Sequence, residues 1–211
     1  MIISREHKFI ILSVPKTGST SMQHVFKNHF GKDVHCVYGN VNNAHGLRKH
    51  IPAKELRRKL KIFKPFKTIA VVRNPWDYVV SWYAYTRRLP KDHNRSSIGK
   101  DFNEFLKTMK HVWFNYPEPW RKKTWDVTQM TYVSDNDNNI IVDEIVKFED
   151  LRKHGIPKTM SKILNIDMDL EDVNKNTSQR SEDYRDYYND ESIEIVNKTM
   201  GIDIKTFNYE Y

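Results

Sequence analysis

A chain of 211 residues has the length of one domain, and its 38% hydrophobic and 12% aromatic content argues for a packed core against a disordered chain. The charge of +8, from 35 Lys and Arg against 27 Asp and Glu, suits an anionic partner without saying whether that is a nucleotide, a polyanion, nucleic acid or a membrane surface. One cysteine, Cys36, excludes an internal disulfide and a cysteine metal cage; the first residues lack a signal peptide's basic segment and long apolar run, so the expected setting is cytoplasmic, without stable membrane insertion.

Lys8 to Val14 is short, apolar and β-branched, and Pro15 closes it: a buried strand. A small-residue loop follows, Pro15-Lys16-Thr17-Gly18-Ser19-Thr20-Ser21, and then a helical pattern through Met22, Val25, Phe26 and Phe30 that Gly31 stops. Residues 31–50 carry turn residues and no period, which predicts loop. From Ala53 the apolar residues Leu56, Leu60 and Phe63 recur at helical spacing, with Lys54, Arg57, Arg58 and Lys61 forming a basic face. Thr68 to Val72 is a second buried strand. After Arg73, Asn74 suits an N-cap and Pro75 the first position of a helix running to about Arg88.

Residues 89–101 predict loop, Phe102, Phe105, Leu106 and Met109 an amphipathic helix, and Asn115 to Trp125 an irregular stretch. Short strands are expected at Met130–Val133, Ile140–Val142 and Ile145–Lys147, the first two joined by a turn over 135–139. Helical patterns return at Phe148–Lys153, Lys158–Leu164 and Glu191–Met200. The alternation predicts a single α/β domain over 1–211, a P-loop-like three-layer fold with a mainly parallel central sheet flanked by helices. Its ligand belongs at the carboxyl ends of the strands.

Two segments carry chemistry. A strand feeding a tight loop into a helix presents backbone N–H groups and a positive dipole end, an anion site. Here Lys16 adds a charge, Gly18 a close approach, and Thr17, Ser19, Thr20 and Ser21 hydroxyls. A Walker A loop would need its Lys directly after a second glycine; in this chain Lys16 precedes Gly18, which counts against an ordinary kinase or ATPase. The second segment, Arg73-Asn74-Pro75-Trp76-Asp77-Tyr78-Val79-Val80-Ser81-Trp82-Tyr83, puts an Arg at a strand end and a hydroxyl two helical turns later, enough to grip a second phosphate. A basic binding protein for nucleic acid would account for the charge but not for two phosphate motifs.

Together these motifs resemble the sulfotransferases that use 3′-phosphoadenosine 5′-phosphosulfate (PAPS), especially the carbohydrate type related to uronyl and heparan 2-O-sulfotransferases. The resemblance continues through Val142 to Leu151, Tyr184-Arg185-Asp186-Tyr187-Tyr188 and Phe207 to Tyr211. It implies that Lys16, with Thr17, Gly18, Ser19, Thr20 and Ser21, binds the 5′-phosphosulfate, that Arg73 and Ser81 bind the 3′-phosphate, and that 3′-phosphoadenosine 5′-phosphate (PAP) is released with no metal. The acceptor it implies is a hydroxyl or amine on a saccharide or glycoconjugate, with nucleic acid excluded. Before the Tyr-Arg run, the family's Pro-x-x-Asn segment reads Glu171-Asp172-Val173-Asn174-Lys175-Asn176 here, without the proline, leaving its role to Asn174 or Asn176.

An acceptor must lose a proton, and imidazole titrates near working pH. His50, before Ile51-Pro52-Ala53-Lys54-Glu55, matches the family's histidine and is the expected base, with His45 as the alternative. Arg48-Lys49, Arg57-Arg58-Lys59 and Arg121-Lys122-Lys123 would suit an anionic saccharide, and Trp76, Trp82, Trp113, Trp120 and Trp125 could stack on sugar rings, although buried tryptophans are commoner.

Overall fold

The computed structural model describes residues 1–38, 47–59, 65–89, 101–112, 128–171 and 180–211. The loop expected at 89–101 and the irregular stretch 115–125 lie largely or wholly outside these, as do Leu60, Lys61, Phe63 and the Arg121-Lys122-Lys123 cluster. The chain forms two compact units: Met1–Arg73 with Tyr132–Thr177, and Asn74–Thr131 with Ser178–Tyr211. No described helix is long and apolar enough to cross a membrane.

The first unit holds a five-stranded sheet: β1 (Ile2–Ser4), β2 (Phe9–Leu12), β3 (Val34–Cys36), β4 (Lys67–Val72) and β5 (Glu144–Lys147), in the order β3-β1-β2-β4-β5. β2, β4 and β5 pair in parallel, while β1 is antiparallel to both β2 and β3. β1 alone therefore runs against the others, and the sheet is mainly parallel as expected. Every residue of β2 is buried, which is why its sequence reads as a continuous apolar run without alternation.

Helix α1 (Ser19–Phe30) lays Met22, Val25, Phe26 and Phe30 onto the sheet face made by Phe9, Ile11, Ile69, Val71 and Val146. The Phe9 and Phe26 rings meet edge to face at 5.6 Å, a geometry worth about 0.5–1.5 kcal/mol beyond area burial. Leu151 of α6 (Phe148–His154) and Ile156 and Met160 of α7 (Ile156–Leu164) join the same core. The basic helix between β3 and β4 in sequence, α2 (Ala53–Lys59), is short. β5 is tied to β4 side by side: the Asp143 carboxylate accepts from the Thr68 N–H at 2.7 Å and hydroxyl at 2.6 Å.

The second unit is helical and aromatic among its described residues: α3 (Pro75–Thr86), α4 (Phe102–Val112), α8 (Asp190–Thr199) and α9 (Gly201–Thr206). A capping box between Asn189 and Ser192 starts α8. Around α3, Tyr83, Phe102, Phe105, Tyr187 and Tyr188 form a run of edge and tilted ring contacts.

Four expectations need correction. β1 and β3 were not anticipated, since residues 31–50 predicted loop and three-residue strands leave too few positions for a pattern. The strand at Lys8 begins only at Phe9, because Lys8 has a left-handed φ of 53° and belongs to the hairpin turn. Met130–Val133 is a helix, α5. The Asp203 carboxylate accepts from the N–H of Gln129 at 2.6 Å and of Met130 at 3.0 Å, capping that helix from far along the chain. Ile140–Val142 makes only an isolated bridge from Ile140 to Ser134; the turn between them is present, with Asp135 accepting from the N–H groups of Asp137 and Asn139.

Candidate active site

β2 delivers the chain into the loop at Pro15–Gly18. Within it Lys16 has φ 61° and Gly18 φ 76°. A left-handed φ is free for glycine but costs a residue with a Cβ about 1–2 kcal/mol, so Lys16 is held there by its surroundings. Two side chains do the holding. Buried Thr17 donates its hydroxyl to the Val14 carbonyl at 2.9 Å, and Arg73 donates Nη1 to the Lys16 carbonyl at 2.9 Å. The charged donor is worth about 1.5–3 kcal/mol, enough to offset the strain. Thr17 thus spends its hydroxyl inside the loop and can offer a ligand its backbone N–H.

α1 starts at Gly18 with no side-chain cap and no acidic residue in its first turn. Ser, Thr, Asp or Asn would ordinarily cap such an end; glycine leaves it to an anion. A Cβ on Gly18 would stand 2.9 Å from the Phe148 ring. That ring also supports Arg73, whose guanidinium carbon lies 4.5 Å from its centroid. Arg73 is 94% removed from solvent, at 6% exposure.

His50 reaches the same strand end. Its Nδ1 lies 2.6 Å from the Ser13 carbonyl oxygen. A carbonyl only accepts, so Nδ1 carries the proton and the neutral ring keeps a lone pair on Nε2. Burial lowers the imidazole pKa to about 4; the Ser13 bond opposes this, and the charges of Lys49 and Lys16 add to it. At neutral pH the ring is an unprotonated base. Next to it, Lys49 donates to the Thr20 hydroxyl in the first turn of α1 at 3.5 Å, and burial lowers its pKa as well. Lys49 escaped the sequence reading as an individual residue; its place within Arg48-Lys49-His50 was the available signal. His45, Asn174 and Asn176 lie outside the described residues.

The basic face of α2 is largely committed to structure. Arg57 donates to the Ile141 carbonyl, Lys54 to Asn136 at 3.2 Å, and Arg48 and Lys59 both pair with Glu55. In the second unit, Ser81 is buried on α3. The letters around it also have structural duties. Asn74 Oδ1 accepts from the N–H of Trp76 at 3.0 Å and Asp77 at 3.2 Å, while its Nδ2 donates to the Glu210 carbonyl at 3.2 Å. Buried Asp77 pairs with half-buried Arg180 at 2.5 Å. Trp76 is buried at 3% exposure with its ring 5.5 Å from Tyr211, so it packs within the protein. Trp113, Trp120 and Trp125 lie outside the described residues.

Compared with known proteins, residues 1–210 match the sulfotransferase family. The chain belongs to that family. Among solved structures it is similar to mouse sulfotransferase SULT7A1 complexed with PAP, at 17% identity and a TM-score of 0.54, over 97% of this chain and 90% of that one. It is also matched to a sulfotransferase from Alicyclobacillus acidocaldarius at 13% identity and a TM-score of 0.47, over 98% and 100% of the two chains. No curated protein sequence matches. The SULT7A1 likeness shows that this sulfotransferase shares its α/β fold; in this chain the loop and α1 follow the central strand β2. Arg180 was the sulfotransferase residue furthest from view in the sequence, since nothing local to it points at Asp77.

Proposed function

We propose that this sulfotransferase takes its sulfuryl group from PAPS and passes it to a hydroxyl or amine of a saccharide or glycoconjugate, acting as a single catalytic domain in the cytoplasm. The observation that carries the donor assignment is the strained loop: left-handed Lys16 and Gly18 leading into a helix with no side-chain cap. That arrangement fits a phosphate, because the backbone N–H groups of Thr17 to Ser21 and the helix dipole favour an anion. PAP in the SULT7A1 structure supports the same reading. The saccharide acceptor rests on the motif resemblance, and the cytoplasmic setting on the sequence alone.

PAPS, when bound, supplies the sulfuryl group and a phosphate as leaving group. The Lys16 ammonium would neutralise charge on the oxygens it meets in that loop, and Arg73 and Ser81 would hold the 3′-phosphate. His50, with Nδ1 fixed on Ser13, offers Nε2 to the acceptor proton. No residue in this scheme calls on a metal.

Release of PAP from PAPS, followed with a panel of saccharides in the presence of a chelator, tests the reading. Lys16→Ala should lower kcat by roughly 10²-fold or more, as loss of transition-state charge stabilisation does. Wild-type turnover in Lys16→Ala, or transfer that requires ATP and magnesium, would overturn the assignment.

A further inference from the structure

Arg73 stands at the end of β4 as a buried cation, and its contacts reach the donor loop as well as whatever binds beyond it. Nη1 donates to the Lys16 carbonyl at 2.9 Å, and the guanidinium packs on Phe148 at 4.5 Å. The same ring stands against Gly18, 2.9 Å from where a Cβ would be. The guanidinium is therefore supported on one side and bonded to the loop, with little freedom to leave.

A trans peptide holds its carbonyl and the following N–H in opposite directions. Fixing the Lys16 carbonyl therefore aims the Thr17 N–H away from Arg73. A cation at that carbonyl also polarises the peptide, which makes the Thr17 N–H a better donor to an anion. The Thr17 side chain bonds two residues further back than the Lys16 carbonyl, to Val14. The left-handed φ of Lys16 favours a rotation of the Lys16–Thr17 peptide, which the Thr17 bond resists from the hydroxyl and the Arg73 bond resists at the carbonyl itself.

We propose that Arg73 is a positioning residue for the 5′ end of the donor: its bond to the Lys16 carbonyl fixes the Lys16–Thr17 peptide in the anion-binding orientation, independently of any 3′-phosphate. This deepens the function proposed above and rests on its reading of the loop as the donor site. One guanidinium then serves both ends of the nucleotide. A donor lacking the 3′-phosphate still depends on it.

Adenosine 5′-phosphosulfate (APS) has no 3′-phosphate, so a residue that only grips the 3′-phosphate cannot affect its binding. Arg73→Met removes the donor while keeping an apolar side chain of similar length in the buried site; Arg73→Lys keeps a donor that can reach the carbonyl. Calorimetry should show APS affinity lowered about 10- to 150-fold in Arg73→Met, the loss of one charge-assisted bond. Arg73→Lys should recover APS affinity to within about 3-fold of wild type, a residual of roughly the size of one weak contact. APS binding by Arg73→Met as tight as wild type overturns the proposal, as does Arg73→Lys as weak as Arg73→Met. Should wild type bind neither APS nor PAPS, the functional reading fails separately. The clamp is then read without ligand from the Thr17 amide nitrogen resonance, which senses hydrogen bonding at the preceding carbonyl. It should shift in Arg73→Met and hold near its wild-type position in Arg73→Lys; an unmoved resonance in Arg73→Met overturns the clamp.

Discussion

Replacing His50 by asparagine separates the two jobs of its ring. The Asn amide nitrogen falls near the position of Nδ1 and can still donate to the Ser13 carbonyl, now bonded at 2.6 Å, while nothing replaces Nε2. Loss of a general base lowers kcat by about 10²–10⁴-fold, and the donor affinity should stay at its wild-type value. The pH profile adds a quantitative check. Burial, with the Lys49 and Lys16 charges, holds the His50 pKa at about 4 against an ordinary 6.5. At pH 5.5 the base would be ~97% neutral with the lowered pKa, but only ~9% neutral with the ordinary one. The kcat/KM for PAP release should therefore be flat from about pH 5 to 7 and fall only near pH 4. The assay is PAP release over that range with an active acceptor. An acid limb centred near pH 6.5, or a His50→Asn enzyme with wild-type turnover, would refute the reasoning. Folding linkage gives the same residue a second signature. Its folded pKa lies below its unfolded value, so the unfolded chain takes up the extra proton between about pH 6.5 and 4. The contribution is whole above pH 6.5 and is lost as pH falls towards 4, by up to about 3 kcal/mol. His50→Asn should lack that part of the acid destabilisation in urea melts.

Gly18→Ala should destabilise the protein by about 1–3 kcal/mol in urea unfolding and weaken donor binding, because the new Cβ meets Phe148 at 2.9 Å at a φ of 76°; adding Phe148→Leu should return part of the stability, and a fully stable Gly18→Ala would contradict the packing. Asp143→Ala should cost about 1–3 kcal/mol by leaving the buried Thr68 donors unmet, with turnover per folded molecule unchanged. Burial alone would raise the Asp143 pKa, but the Thr68 bonds and the Arg57 and Lys67 charges outweigh it and hold it below the usual value. Its stabilisation is therefore present above the ordinary carboxylate range and lost as pH falls through the lowered pKa; equal acid sensitivity in Asp143→Ala and wild type would count against it.

What the sequence determined by itself was local. An apolar run before Pro15, small residues through Ser21 and a helical period from Met22 specify strand, anion loop and helix, because each depends on backbone preferences within a few residues. The Asn74-Pro75 helix start was legible for the same reason, and the structure shows the cap with its Trp76 and Asp77 donors. Tertiary structure decided whatever depends on a distant partner. Met130–Val133 has β-favouring residues but is helical because the Asp203 carboxylate, 73 positions from Met130, takes its first N–H groups. β1 and β3 exist through pairing, with too few residues to show a period. Lys54 and Arg57 read in the sequence as part of a basic helix face, while the structure bonds them to Asn136 and to the Ile141 carbonyl. At the site, sequence could name His50 and Arg73, but not that His50 faces Ser13 with a lowered pKa or that Arg73 bonds the Lys16 carbonyl. Charge state and hydrogen-bond partner are set by burial and by what lies across space, and neither leaves a mark on neighbouring residues in the chain.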